Sequence, residues 1–132
     1  MVILGRLIGL DLSLDTLSIE NIVPEALRQV SLEEFEKRLP EFDAEFAKLN
    51  LEASSASKVL RYVGLIDGSN STVRLEAFDK THPFAALQGS DNVIRIVTER
   101  FPNGLSIQGA GAGADVTAFG IFSDLLKAAR CM

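Results

Sequence analysis

Glycine occupies every second position of the stretch Gln108-Gly109-Ala110-Gly111-Ala112-Gly113-Ala114, and the apolar segment Asp115-Val116-Thr117-Ala118-Phe119-Gly120-Ile121-Phe122-Ser123-Asp124 follows directly. Glycines allow a backbone to come close to a ligand or to another element, because no side chain intervenes. A helix that begins behind such a loop presents unpaired N–H groups and the positive end of its dipole, which suits an anion or a nucleotide phosphate. The spacing is GxGxG rather than GxGxxG, so a tight strand-to-helix connection is the simpler interpretation and a phosphate site is the alternative.

The length of 132 residues predicts one domain, residues 1–132, with a single core. An apolar fraction of 47% and a charged fraction of 23% are typical of a soluble globular protein. The net charge of −5 and the scattered basic residues argue against a nucleic-acid partner. No apolar run reaches the roughly 18 residues that span a bilayer, and residues 1–10 lack the basic leader of a signal peptide. We therefore expect neither a nucleic-acid nor a membrane partner.

Reactive side chains are few. Cys131 is the only cysteine, which excludes an internal disulfide and favours a cytoplasmic location. His82 is the only histidine and precedes a proline on a loop, where a connecting role is more typical than catalysis. The carboxylates Glu41, Asp43 and Glu45 are expected to form a solvated helix surface. No nucleophile with its base and no metal cluster can be assembled, so we predict no catalytic residue and no metal site from the residues alone.

The first half of the chain favours helices. Residues 1–8 have helical apolar spacing, with Gly9 as the stop, although no cap precedes them. A strand is predicted over Leu14–Val23, followed by a short turn at Pro24–Leu27. The sequence Ser31-Leu32-Glu33-Glu34 is a capping box that begins a helix reaching Leu39. A second helix starts at Pro40, and its apolar stripe comprises Phe42, Phe46, Leu49 and Ala53.

The second half changes to the period of strands after the polar joint Ser54–Ser57. Lys58–Ile66 is apolar on both sides, which predicts an inner strand. Thr72–Phe78 alternates with one polar side, and a hairpin turn at Asp67–Asn70 joins the two. Phe84 and Leu87 in the following connection are expected to contact the core. Two more strands, Asn92–Phe101 and Leu105–Gln108, flank the turn Pro102-Asn103-Gly104, and a helix apolar nearly all round follows over Ala114–Ala129. The order of elements predicts an α+β fold, with a mostly antiparallel mixed sheet and helices packed on one face.

Several separate motifs occur in an order that resembles one family. They are Lys58-Val59-Leu60-Arg61-Tyr62-Val63-Gly64, then His82-Pro83-Phe84 with Leu87, then Gly89-Ser90-Asp91-Asn92, and finally Ile107–Ala118 with Gly120 and Asp124. Together with Ile22-Val23-Pro24 and Leu39–Asp43, they closely resemble the C-terminal part of homoserine dehydrogenase. Motifs in the right order along the whole chain are more specific than a glycine loop alone.

The resemblance implies an NAD(P)-dependent oxidoreductase that interconverts L-aspartate 4-semialdehyde and L-homoserine, in the route to threonine and methionine. It implies a substrate and dimerisation region that follows a Rossmann nucleotide-binding domain and forms a homodimer through sheet strands. The last helix would pack back on the nucleotide domain, which would give its apolar surface a second partner. The family places the last glycine of the loop beside the cofactor, and the matching position here is Gly113.

The resemblance also implies parts that these residues do not match. The family's GxGxxG fingerprint belongs to the N-terminal domain, and its catalytic lysine lies on a helix whose continuation resembles Val2-Ile3-Leu4-Gly5-Arg6. We therefore expect a C-terminal fragment that binds no NAD(P) tightly and shows no dehydrogenase activity alone. Two alternatives stay open: a free-standing amino-acid-binding or protein-interaction module, and one half of a split enzyme that a separate N-terminal nucleotide-binding half complements.

Overall fold

The structure, a computed structural model, describes residues 1–131, with the side chain of Ser69 excepted. Its residues form two compact units, Met1–Ala85 and the residues from Ala86 onward. Helices and small mixed and antiparallel sheets make up the chain, which confirms the predicted α+β class. The single domain over residues 1–132 stays a prediction. Within residues 1–131, no helix combines the length and apolar character needed to cross a membrane.

The first unit is built on a three-stranded mixed sheet. Strands β2 (Lys58–Leu65) and β3 (Thr72–Asp79) are antiparallel, and the short strand β1 (Ser18–Ile19) runs parallel to β3 on its other side. The order β1-β3-β2 makes β3 the central strand. The prediction that residues 58–66 form an inner strand is therefore wrong. Strand β2 lies at an edge of this sheet, and its apolar residues are accounted for by helix α3, which packs against it.

Three α-helices and several 3-10 turns complete this unit. Helix α1 (Val2–Leu7) confirms the helix predicted at residues 1–8. Helix α2 spans Leu32–Arg38 and α3 spans Asp43–Ser55. Pro40 lies in a 3-10 turn, Leu39–Phe42, and not in the first turn of α3 as predicted. The remaining 3-10 turns are Glu25–Leu27, Gly68–Asn70 and Pro83–Ala86.

The predicted start of α2 is half confirmed. The Ser31 hydroxyl accepts a hydrogen bond from the Glu34 amide at 3.3 Å, as a capping box requires. The Glu34 carboxylate accepts a hydrogen bond from the Arg38 guanidinium at 3.2 Å, one helical turn later. Hydrogen bonds to Glu41 and Glu34 raise the pKa of Arg38 above its ordinary value. Two surface ion pairs of Arg38 thus connect α2 to the 3-10 turn that follows it.

The strand predicted over Leu14–Val23 is reduced to two residues by side-chain hydrogen bonds at both ends. The Thr16 hydroxyl accepts from the Ser13 amide at 3.0 Å, and the Ser13 hydroxyl accepts from the Thr16 amide at 3.2 Å. On the other side, the Asn21 side chain accepts from the Val23 amide at 2.9 Å. Such local bonds give the backbone an alternative to sheet pairing.

The second unit consists of a hairpin and a helix. Strands β4 (Asp91–Ile96) and β5 (Leu105–Ala110) pair antiparallel, and helix α4 spans Ala114–Arg130, which confirms the predicted final helix. The strand predicted over Asn92–Phe101 ends early, because Thr98 and Phe101 exchange backbone hydrogen bonds and close a turn. The two hairpins belong to separate sheets, whereas the order of elements predicts a single sheet.

Buried apolar side chains are few among the described residues. They lie in the first unit and comprise Leu12, Leu17, Leu27 and Ala53. By contrast, α4 exposes large apolar side chains on several sides, with Phe119 at 72% and Ile121 at 69%. Exposed apolar surface on this scale is typical of faces that another element or molecule covers.

Replacing Gly5 by alanine should destabilise the protein, whereas the same change at Gly120 should not. A β-carbon at Gly5 would press on the buried side chain of Leu12, with its Cγ at 3.2 Å. We expect a loss of about 1 to 3 kcal/mol of unfolding free energy from overpacking. Gly120 lies inside α4 with no atom within 4 Å of an added β-carbon. Gly120→Ala should therefore stabilise by up to about 1 kcal/mol through helix propensity.

Urea unfolding followed by circular dichroism measures both variants. Equal stability of Gly5→Ala and the unchanged chain would show that Leu12 does not constrain this helix.

Candidate functional site

The glycine stretch forms the connection between β5 and α4. Gly109 lies in β5 opposite Asn92, and Gly113 is the residue that caps the start of α4. Between them, the Gly111 amide donates to the Ser90 carbonyl at 2.9 Å, which ties the loop to the residue preceding β4. The predicted strand-to-helix connection is confirmed.

The glycines of this loop are needed for different reasons. Gly113 has φ 128° and ψ 158°, a backbone conformation that is essentially restricted to glycine. A β-carbon at Gly111 would collide with the Asn92 side chain, with its Cγ at 2.5 Å. A β-carbon at Gly109 or Gly113 would meet no atom within 4 Å. At Gly113, therefore, any other residue would be strained by the backbone conformation, although the space that its side chain would occupy is open.

The first turn of α4 leaves its amide groups available. No side chain at the N-cap accepts from them, and the first N–H groups of any helix lack partners within it. The Gly113 carbonyl is engaged, since it accepts from the Thr117 amide at 3.1 Å and from the Thr117 hydroxyl at 2.9 Å. Asp115 brings a carboxylate into the same turn. This negative charge interacts favourably with the positive end of the helix dipole, and it repels a second anion at the same end.

The only histidine lies in an aromatic cluster of the first unit. The His82 ring is 4.7 Å from the Phe78 ring and 4.8 Å from the Phe84 ring, measured between centroids. Its Nδ1 accepts a hydrogen bond from the Phe84 amide at 3.2 Å. The predicted connecting role of His82 agrees with this geometry. The half-buried Phe84 packs against Phe78, with ring centroids 5.2 Å apart, while contact of Phe84 and Leu87 with the core stays a prediction.

Arg61 is a residue whose role the sequence pattern alone does not reveal. It is half-buried on β2, and its guanidinium donates to the carbonyl oxygens of Phe84 at 2.9 Å, Ala85 at 2.8 Å and Leu60 at 2.9 Å. The sequence does single out this position, because Arg61 is the one cation on the otherwise apolar face formed by Val59, Val63 and Leu65. A charge at such a position needs buried acceptors.

A cavity of about 340 Å³ lies in the first unit between the loop after α1 and the turn between β2 and β3. It is lined by Leu10, Asp11, Leu12, Thr16 and Gly68. The Thr16 hydroxyl is already bonded to Ser13, and the Asp11 side chain is exposed. None of the residues singled out for chemistry in the sequence lines this cavity.

The remaining candidates are spread over the surface of residues 1–131. Glu41, Asp43 and Glu45 are exposed, with Glu41 paired to Arg38 at 3.3 Å, and Cys131 is exposed as well. In that part of the chain, no group of three or more His, Cys, Asp or Glu side chains is arranged to hold a metal ion.

Comparison with known proteins gives one consistent result. A family model described as homoserine dehydrogenase matches residues 1–126. The chain is 48% identical to bifunctional aspartokinase/homoserine dehydrogenase 2, chloroplastic, of Arabidopsis thaliana, with 98% of this chain and 14% of that protein aligned. It is 42% identical to homoserine dehydrogenase of Saccharomyces cerevisiae, with 97% of this chain and 37% of the yeast protein aligned.

A crystal structure of a Candida auris protein of unknown function is similar as well. The identity is 44%, the TM-score is 0.85, and the match covers 98% of this chain and 37% of the other. The chain thus spans between about one seventh and somewhat more than one third of the length of these three proteins.

Gly113→Ala should cost about 1 to 3 kcal/mol of unfolding free energy, because alanine is strained at this φ and ψ. Gly109→Ala, earlier in the same stretch, is the matched control. Since Gly109 has open space and no positive φ, its replacement should leave the stability equal or raise it slightly. Chemical unfolding of both variants decides the matter, and equal stabilities would mean that the conformation of Gly113 is not what the loop requires.

Proposed function

The chain belongs to the homoserine dehydrogenase family, and from that premise we propose that it supplies the substrate-side and dimerisation part of an NAD(P)-dependent homoserine dehydrogenase. The reaction is the interconversion of L-aspartate 4-semialdehyde and L-homoserine in threonine and methionine biosynthesis. The observation that carries the proposal is the match of the family model along residues 1–126 of 132. We also propose a cytoplasmic location, which the use of a single cysteine in the sequence favours.

We propose that Gly113 forms one edge of the NAD(P) site. The residues present fit this role, because the backbone at Gly113 is open on its side-chain side and the first amides of α4 lack an N-cap side chain. The carboxylate of Asp115 in the same turn opposes a phosphate. The nicotinamide and its ribose, which carry no negative charge, therefore fit this edge better than the phosphates. When bound, the cofactor supplies hydride transfer.

We propose that a nucleotide-binding domain covers the apolar surface of α4. The exposed side chains of this helix include Val116, Phe119, Ile121, Phe122, Leu125 and Leu126. A helix with apolar residues on most of its sides requires partners on more than one side. In the family that the chain resembles, this helix packs on the nucleotide domain, and the same packing would cover these residues.

The 132-residue chain by itself should show no homoserine-dependent reduction of NADP. The resemblance to the family provides no counterpart among residues 1–132 for the lysine that moves the proton or for the main cofactor site. The assay follows the absorbance of the reduced cofactor on addition of homoserine, with the yeast homoserine dehydrogenase as the positive control. Turnover above a blank without protein would show that these residues hold a complete site.

Calorimetry of the same chain distinguishes the alternative of an amino-acid-binding module. Titration with homoserine, with threonine and with NADP should each give no tight binding. A saturable heat with either amino acid alone would favour the binding module over the dehydrogenase part.

The chain should self-associate as a homodimer through strands of its sheets. Ile94 and Ile107 face each other across β4 and β5, with 48% and 59% of their surface exposed. We propose that these two exposed side chains contact the second copy in the dimer. Ile107→Lys should then raise the dissociation constant of the dimer by about tenfold or more, because it places a charge in this apolar contact. Ser106→Lys, on the opposite face of the same strand, is the matched control and should change the dissociation constant little. Sedimentation equilibrium measures both, and a monomer at every concentration would contradict the proposal.

A further inference from the structure

Arg61 connects strand β2 to the 3-10 turn Pro83–Ala86. Its Nε donates to the Phe84 carbonyl at 2.9 Å and its Nη2 donates to the Ala85 carbonyl at 2.8 Å. Its Nη1 donates to the Leu60 carbonyl on its own strand at 2.9 Å. A guanidinium is planar and carries five donors in a fixed arrangement. Because it bonds three carbonyl groups at once, the guanidinium and the three carbonyl groups fix one another's positions.

The turn that Arg61 holds also orients the only imidazole of the chain. The Phe84 amide donates to His82 Nδ1 at 3.2 Å, and the Phe84 ring meets the His82 ring edge to face at 83°. Phe78 contacts both rings from β3, with centroid distances of 4.7 Å to His82 and 5.2 Å to Phe84. Because Nδ1 accepts a hydrogen bond, the neutral ring carries its hydrogen on Nε2.

We propose that Arg61 is the positioning residue for His82. By holding the carbonyls of Phe84 and Ala85, Arg61 keeps the Phe84 amide directed at Nδ1 and the Phe84 ring against the imidazole. Hydrogen bonds from a charged donor are stronger than neutral ones, so the bonds from Arg61 to the two carbonyls are stronger than the bond from the Phe84 amide to His82. The chain's single imidazole thereby has one orientation and one tautomer. This role goes beyond the proposed function and does not depend on it.

The structure provides a matched control in Arg74. It lies on β3, the strand paired with β2, and its guanidinium bonds to the Glu76 carboxylate at 3.1 Å. Both arginines therefore lie in the same hairpin, carry the same charge and lose the same atoms when truncated to alanine. Of the two, Arg61 reaches the turn that holds His82.

The test is nuclear magnetic resonance of the full chain, in which His82 gives the only imidazole signals. In Arg61→Ala we expect the Phe84 amide to exchange with solvent about tenfold faster or more than in Arg74→Ala. The ring protons of His82 should lose the shifts caused by the two phenylalanine rings, and the ¹⁵N signal of Nδ1 should move. Amides of the β2–β3 ladder should exchange at the same rate in both variants. General destabilisation would instead accelerate the ladder and the turn together.

Lysine variants keep the test decisive if truncation prevents folding. Arg61→Lys retains the charge but cannot bond the same carbonyls in a planar arrangement, so it should show the same changes at Phe84 and His82 to a smaller degree, relative to Arg74→Lys. The inference is overturned if folded Arg61 variants keep the Phe84 exchange rate and the His82 signals of the Arg74 variants. It is equally overturned if the ladder and the turn respond alike.

Discussion

The pairing of β2 with β3 is the interaction on which the first unit depends. Eight residues on each strand are in register, from Lys58 opposite Asp79 to Leu65 opposite Thr72. The buried Ser71 hydroxyl closes the hairpin by accepting from the Asp67 amide at 3.2 Å and donating to the Gly68 carbonyl at 2.9 Å. On this hairpin β1 pairs with one edge, α3 packs against β2, and Arg61 holds the turn that contains His82. One local hairpin thus positions elements that are distant in sequence.

The exposed apolar residues of the second unit indicate where partners would bind. The helix α4 and the β4–β5 hairpin expose large side chains such as Phe119, Ile107 and Ile94, whereas the buried apolar residues among the described ones belong to the first unit. Both exposed surfaces have an assigned partner in the proposal: a nucleotide-binding domain for α4 and a second copy for the strands. The loop between them requires glycine at position 111, because a β-carbon there would collide with Asn92, and at position 113, because of its φ and ψ angles.

Local chemistry makes much of this predictable from the sequence. Ser31 and Glu34 predict the start of α2, glycine alternation predicts the connection to α4, and the ordered motifs suffice to identify the family. The errors have specific causes. Ser13, Thr16 and Asn21 use their side chains to end pairing that the apolar pattern favours. The position of β2 at an edge, and the division into two sheets, depend on which strands pair across long distances, and periodicity carries no information about that. The role of Arg61 is not predictable because the sequence cannot show which carbonyls a lone cation will reach.

The central proposal is that this chain supplies the substrate-side and dimerisation part of a homoserine dehydrogenase, and it implies that the chain can replace the corresponding part of a relative. A direct test replaces the matching 37% of the yeast homoserine dehydrogenase with this chain and measures homoserine-dependent reduction of NADP. We expect the purified hybrid to turn over homoserine, with a rate that falls when Gly113 is replaced by alanine and does not fall when Gly109 is replaced by alanine. A folded hybrid that binds NADP but does not turn over homoserine would contradict it.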